Sequence, residues 1–186
     1  MRIVAGTAKG RRLKTLKGMN TRPTADRIKE SLFNVIYTSV KDAVVLDLFA
    51  GTGNLGCEAL SRGASMVFFV DKSGLSIQTI KDNVNNLGFA DRAQVYRKDV
   101  FAFLKGLSGR GPTFDLIFID PPYGEQLLVP TIELISDMDI LKDDGMVIAE
   151  HSAMDSIPQS IGQFRIKRQK MYGSTAVTFF VKDGAL

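Results

Sequence analysis

Two periods alternate along this chain. Apolar runs occur at "AVVLDLF" (43–49), "SMVFFVD" (65–71), "AQVYR" (93–97), "FDLIFID" (114–120) and "GMVIAEH" (145–151), with helical-period runs between them at 54–63, 73–87, 99–106 and 126–138. This is the strand-helix order of a parallel sheet covered on both faces, and near-continuous apolar runs suit strands buried on both sides. Upstream, "TRPTADRIKESLFNVIYTSV" predicts a helix that starts at Pro23 and Thr24, carries Asp26 and Glu30 in its early turns, and gathers Ile28, Leu32, Phe33, Val35 and Ile36 on one apolar face. After Glu150 the helical signal weakens. "FRIKRQKMYG" and "TAVTFFV" then flank a Gly-Ser turn and predict a closing antiparallel hairpin over 164–182. At the start of the chain, "RIVAG" and "RRLKTL" alternate around "TAKG", which predicts a short hairpin. "LSGRGPT" (107–113) reads as a surface loop, and no internal repeat, low-complexity segment or interdomain linker interrupts the pattern.

The 186 residues, 45% of them hydrophobic, suffice for one domain with a small appendage. The expected division is an arm at 1–20 and a main domain at 21–186. One cysteine, Cys57, excludes a disulfide framework within the chain and argues against a cysteine-built metal site. "MRIVAGTAKGRRLK" has no apolar core of a signal segment, and no run approaches the ~18 apolar residues of a membrane span, so a cytoplasmic protein is expected. The net charge of +4 is unevenly placed. Residues 1–25 hold seven bases and no acid, whereas residues 26–186 hold 17 bases against 20 acids. A solvated tail is the plain alternative. A folded basic arm on a mildly acidic domain instead points to a polyanion, most readily nucleic acid, with Lys9, Arg11, Arg12 and Lys14 as its contacts.

In a doubly wound sheet, ligands lie at the carboxyl ends of the strands. Four ends carry suitable groups. "DLFAGTGNLG" contains a G-x-G-x-x-G at Gly51, Gly53 and Gly56 after Asp47; Asp71 ends the second run; Asp99 and Asp120 follow the third and fourth. Glycine lets backbone approach a ligand without an intervening Cβ, and a carboxylate at Asp71 can accept hydrogen bonds from ribose hydroxyls. Each group has a structural alternative: Asp71 and Asp99 as helix caps, Asp47 as a brace for the turn, the glycines as helix-sheet packing. Cys57 and His151 lack partners for a triad or a metal.

"DPPY" at 120–123 is harder to explain as a turn. Two prolines remove two backbone donors and leave carbonyl oxygens beside a carboxylate and a phenol. That set suits an exocyclic amine on a base: Asp120 and the Pro121 carbonyl accept its hydrogens, Pro122 stiffens the strap, and Tyr123 stacks on the ring. Fixed acceptors would turn the nitrogen lone pair toward an electrophile and stabilise charge growing on nitrogen.

The motifs "VLDLFAGTGNLGCEAL" and "DPPY", with an acid closing the second strand, resemble the S-adenosylmethionine-dependent amino-methyltransferases. "TRPTADRIKESLFN" and "YGSTAVTFF" narrow the resemblance to the RsmD-like 16S ribosomal RNA guanine-N2 methyltransferases, over essentially the whole chain. The resemblance implies a Rossmann-like fold of seven strands in the order 3-2-1-4-5-7-6, with strand 7 antiparallel. It implies S-adenosylmethionine as cofactor, with Gly51 and Gly53 near its methionine portion, Asp47 in the strand beneath, and Asp71 on the ribose. Asp99 and Val100 would meet the adenine, and Arg22, Pro23 and Thr24 would lie beside the cofactor. Its implied substrate is guanine 966 of 16S rRNA, in the small ribosomal subunit or an assembly intermediate, methylated in line on N2 without a metal.

Four other readings share parts of this pattern. A DNA adenine or cytosine methyltransferase has "DPPY" but normally a large recognition domain. A glutamine-modifying protein methyltransferase normally has Asn where Asp120 stands. From other classes, a nicotinamide-dependent oxidoreductase would use the glycine pattern, and a non-catalytic RNA-binding module the arm alone.

Overall fold

A computed structural model of the chain describes residues 1–16, 23–107, 111–122 and 126–184, of which 23–25 are described by backbone only. Part of the predicted loop at 107–113 and the expected boundary at residue 20 lie outside the described residues. The elements are α1 (Pro23–Val35), β1 (Val44–Leu48), α2 (Asn54–Ser61), β2 (Met66–Asp71), α3 (Gly74–Leu87), β3 (Ala93–Arg97), α4 (Val100–Lys105), β4 (Phe114–Ile119), α5 (Leu128–Met138), β5 (Leu141–Ser152), β6 (Ser160–Ile161), β7 (Phe164–Tyr172) and β8 (Thr175–Lys182).

The sheet order is β3-β2-β1-β4-β5-β8-β7-β6. β1 to β5 pair in parallel, and β8 enters antiparallel between β5 and β7, as the closing hairpin predicts. Among the described residues the expected count of seven strands is corrected to eight by β6, which pairs with β7 through Ser160–Arg165 and Ile161–Phe164. Two residues are too short to show any period. β5 also begins earlier than its apolar run: Phe114 pairs with Leu141, and the polar residues 142–144 are taken up where the register shifts before Leu116 meets Met146.

Successive residues of each strand feed opposite faces, which is why the runs are apolar throughout. Val45, Phe69, Phe118, Ile148 and Phe179 pack under α1, α2 and α3 with Phe33, Leu60 and Ile80. Leu46, Val70, Ile117, Val147 and Phe180 pack against α4 and α5 with Phe103, Leu104, Ile132 and Ile135. Each such buried side chain stabilises the fold by roughly 1.5–3 kcal/mol before entropy is subtracted.

The N-terminal arm is a hairpin laid on this frame. Ile3 N–H donates to the Arg11 carbonyl and Gly10 N–H to the Ile3 carbonyl, both at 2.9 Å. Ile3, Ala8 and Leu13 are buried in the α1-α2-α3 core. The Val4 and Ala5 amides donate to the buried Glu58 carboxylate of α2 at 2.8 and 3.0 Å, and the Ala8 amide to Ser61 Oγ at 3.0 Å. At Gly6, with φ +83°, a Cβ would stand 1.9 Å from the Ser61 carbonyl oxygen, so only glycine allows so close an approach.

Candidate active site

The turn after β1 is braced from below. Asp47 Oδ2 accepts the Gly56 N–H at 2.9 Å, fixing the start of α2 to the strand. Gly51 and Gly53 have φ of +56° and +74°, in the left-handed region. Gly56 serves packing: a Cβ there would lie 2.2 Å from the Phe69 ring. Phe49 is also left-handed, at φ +59°, a strained conformation for an aromatic residue and one that collects at functional sites.

The other strand ends hold their acids by similar means. Asp71 Oδ2 accepts the Gly51 N–H and its Oδ1 the Ser73 N–H, each at 2.8 Å. Asp99 caps α4 by accepting the Ala102 N–H at 3.1 Å, the structural alternative expected for it. Capping one oxygen leaves the carboxylate with acceptor capacity to spare.

Asp47, Gly51, Asp71, Asp99, Val100, Asp120, Pro121 and Pro122 all line one cleft of about 510 Å³ at the carboxyl end of the sheet. Gly53 stands behind it, facing Phe69 and Ile80. Arg22 and Tyr123 lie outside the described residues, and Thr24 is placed in α1 by backbone only. The four bases proposed for the arm divide into two pairs. Arg11 donates to the Leu87 and Asn86 carbonyls at the end of α3, and Lys14 pairs with Asp82 at 2.9 Å. Lys9 and Arg12 are exposed.

Several lining residues escape the sequence reading. Met1 reaches the cleft, and so do Asn54, Glu150 and Lys29. Lys29 is 1% exposed; its ammonium donates to the Arg2 carbonyl and Asn54 Oδ1 and meets Glu58 at 3.3 Å. The signal is present, since residues 29, 32 and 33 share one side of α1 and two of them are apolar. Burial lowers the Lys29 pKa, and the Glu58 charge opposes that shift.

The cleft is acidic. Burial pushes the Asp47 carboxyl up to about 8; the Gly56 hydrogen bond resists the shift and the Asp71 charge adds to it. Asp120 is also held well above the usual carboxylate range, first by loss of hydration and then by the charges of Glu150 and Asp47. Because Asp120 is open to the cleft, the hydration component is greatest when a ligand fills it, while the repulsion acts throughout. A cationic ligand would relieve this concentration of negative charge. Among the described residues no cluster of His, Cys, Asp or Glu could hold a metal ion, and no helix is long and apolar enough to cross a membrane.

Pro121 and Pro122 also form one wall of a second cavity of about 400 Å³, bounded by Leu127, Leu128 and Ile157. His151 lines it, with both ring nitrogens engaged: Nδ1–H donates to the Ser152 carbonyl at 2.8 Å, and Nε2 meets Thr178 Oγ1 at 2.8 Å. Cys57, in contrast, is buried in α2, and burial raises its thiol pKa further.

The profile of a protein family described as "Conserved hypothetical protein 95" matches residues 1–181. YlbH of Bacillus subtilis (strain 168) is 43% identical over 184 residues, 99% of this chain and 100% of that one. "Ribosomal RNA small subunit methyltransferase D" of Escherichia coli (strain K12) is 32% identical over 183 residues, 98% of this chain and 90% of that one. The solved structure of the Escherichia coli protein yhhF superposes with a TM-score of 0.87 at 32% identity, covering 100% of this chain and 99% of that one.

Proposed function

Because this chain belongs to the RsmD-like family of rRNA methyltransferases, we propose that it transfers a methyl group from S-adenosylmethionine to N2 of a guanine in 16S rRNA, with guanine 966 as the target. One observation carries the reading: Pro121 and Pro122, which follow the cleft-lining Asp120, line both the acidic cleft and the second cavity. Two reactants can therefore meet across one short segment of chain.

The cleft suits the cofactor in size and polarity, being of ordinary ligand-pocket volume and lined by five acidic side chains together with Lys29 and Lys72. Asp71 accepts the ribose hydroxyls with the lone pairs left beyond the Gly51 and Ser73 amides. Asp99 offers its second oxygen to the adenine amine, and Val100 stands beside that ring. Gly51, without a Cβ, lets backbone approach the methionine portion. When bound, S-adenosylmethionine supplies an electrophilic methyl group on a sulfonium.

The chain's own residues then prepare the nucleophile. A guanine N2 is weak because its lone pair is delocalised into the ring. Asp120 and the Pro121 carbonyl accept hydrogen bonds from its two N–H groups, holding the lone pair toward the cofactor side and offsetting charge on nitrogen as the N–C bond forms; the nitrogen then gives up one proton to Asp120 or to water, leaving the neutral methylamine. Pro122 keeps the strap rigid, and Tyr123 stacks on the extruded base. The arm's exposed Lys9 and Arg12 meet phosphates, with Arg11 and Lys14 holding the arm in place. On this reading residues 1–20 form an RNA-contacting arm on a catalytic domain of 21–186.

Calorimetric titration with S-adenosylhomocysteine and with NADH tests the cofactor, and methylation of small ribosomal subunits and duplex DNA tests the substrate. Binding of the first ligand only, followed by N2-methylguanosine in the subunit digest, is expected. Methyladenine or methylcytosine in the DNA would support the DNA reading instead.

A further inference from the structure

The second cavity holds chemistry that methyl transfer itself does not use. Its walls are mainly Pro121, Pro122, Leu127, Leu128, Pro130 and Ile157, a lining suited to the faces of a flat ring. Among the described residues that line it, Asp155 is the one carboxylate. Asp155 Oδ2 accepts the Ser152 N–H at 3.1 Å, which fixes the side chain to the end of β5 while half of it stays exposed. His151 cannot compete for a ligand, because its ring is tied to Ser152 and Thr178, and Thr178 Oγ1 in turn accepts from Gln169 Nε2 at 2.9 Å. That chain of bonds across β5, β8 and β7 holds the Asp155 wall without offering the base a partner.

We infer that this cavity receives the target base and that Asp155 makes it guanine-specific by accepting the ring N1–H. The inference rests on the proposed N2 reaction. On guanine, N1–H and the 2-amine are neighbouring donors on one edge. With the amine held at Pro121 and Asp120, where the cavity meets the acidic cleft, N1–H must find an acceptor inside the cavity or be desolvated unpaired. A carboxylate meets that need. Adenine N1 and cytosine N3 present lone pairs at the corresponding edge, and Asp155 repels them, so the same group that accepts the right base excludes the wrong ones.

The test uses single-turnover methylation, with saturating S-adenosylmethionine, of small subunits assembled with either guanine or 2-aminopurine at the target nucleotide. 2-Aminopurine keeps the reacting amine and lacks N1–H. The wild-type protein should methylate it roughly 10–100-fold more slowly than guanine, the usual effect of a lost charged hydrogen bond. Asp155→Ala should slow guanine by a similar factor, leave 2-aminopurine no slower and somewhat faster as the repulsion of its N1 lone pair is removed, and so abolish the preference. Asp155→Asn keeps an oxygen for the Ser152 amide and should fall between the two. Cofactor affinity and melting temperature are measured alongside. Equal slowing of both bases, or an undiminished guanine rate in Asp155→Ala, would overturn the assignment and leave the N2 reaction intact. Absence of N2-methylguanosine from the wild-type reaction would remove the reaction itself, and the assignment with it.

Discussion

Asp71 accepts the Gly51 amide at 2.8 Å, so the carboxylate that ends β2 also holds the glycine turn that follows β1. A ligand bound across these two strand ends meets a surface already fixed by the protein. Asp71→Ala removes both the ribose acceptor and this brace, and S-adenosylmethionine affinity should fall by ~1.5–3 kcal/mol. Calorimetric titration measures it; wild-type affinity in the variant would show that the ribose is held elsewhere.

Asp47 makes stability depend on pH. Its folded pKa of about 8 lies above the ordinary carboxylate value, so the folded chain binds a proton that the unfolded chain releases. Its contribution is fully present below the unfolded pKa and is lost as pH rises toward and through about 8. The melting temperature without ligand should therefore fall between pH 5 and 8.5, and Asp47→Asn, which still accepts the Gly56 amide, should flatten that fall.

The arm's four bases should separate by experiment. Replacing Lys9 and Arg12 by Ala should leave the melting temperature unchanged and lower the log–log salt slope of RNA binding by ~1.4–1.8, the effect of two lost phosphate contacts. Arg11→Ala and Lys14→Ala should instead lower the melting temperature, because they loosen the arm from α3. An unchanged slope in the first variant would make the arm purely structural.

Glu58 joins the arm to the cleft wall through the Val4 and Ala5 amides, Arg62 and Lys29. Glu58→Ala leaves a buried ammonium without its counter-charge and should cost about 3–5 kcal/mol in urea unfolding. Glu58→Gln keeps an acceptor for the arm amides and should be milder.

Much of this architecture is legible in the sequence because strands buried on both faces must be apolar throughout and strand ends must turn. Asp47, Asp71, Asp99 and Asp120 stand at or near those ends, and three-dimensional folding places them on one cleft. What is not legible depends on distant partners. Glu58 and Lys29 look like surface charges of amphipathic helices, yet each is buried by the arm and by the other. Arg11 and Lys14 look unpartnered in the sequence, but each meets a group on α3. Asp155 has no local pattern at all; only the pairing of β5 with β8 and the position of α5 bring it to the cavity beside Pro121.

The most direct test of the account is the single-turnover methylation rate of Asp120→Ala on small subunits at saturating cofactor, with N2-methylguanosine quantified by mass spectrometry. The variant should fold and bind S-adenosylmethionine, yet react at least ~100-fold more slowly, since losing one preorganised transition-state contact costs roughly 3 kcal/mol. Asp120→Asn, which keeps an oxygen acceptor, should react faster than Asp120→Ala. Formation of N2-methylguanosine by Asp120→Ala at the wild-type rate would contradict the central claim.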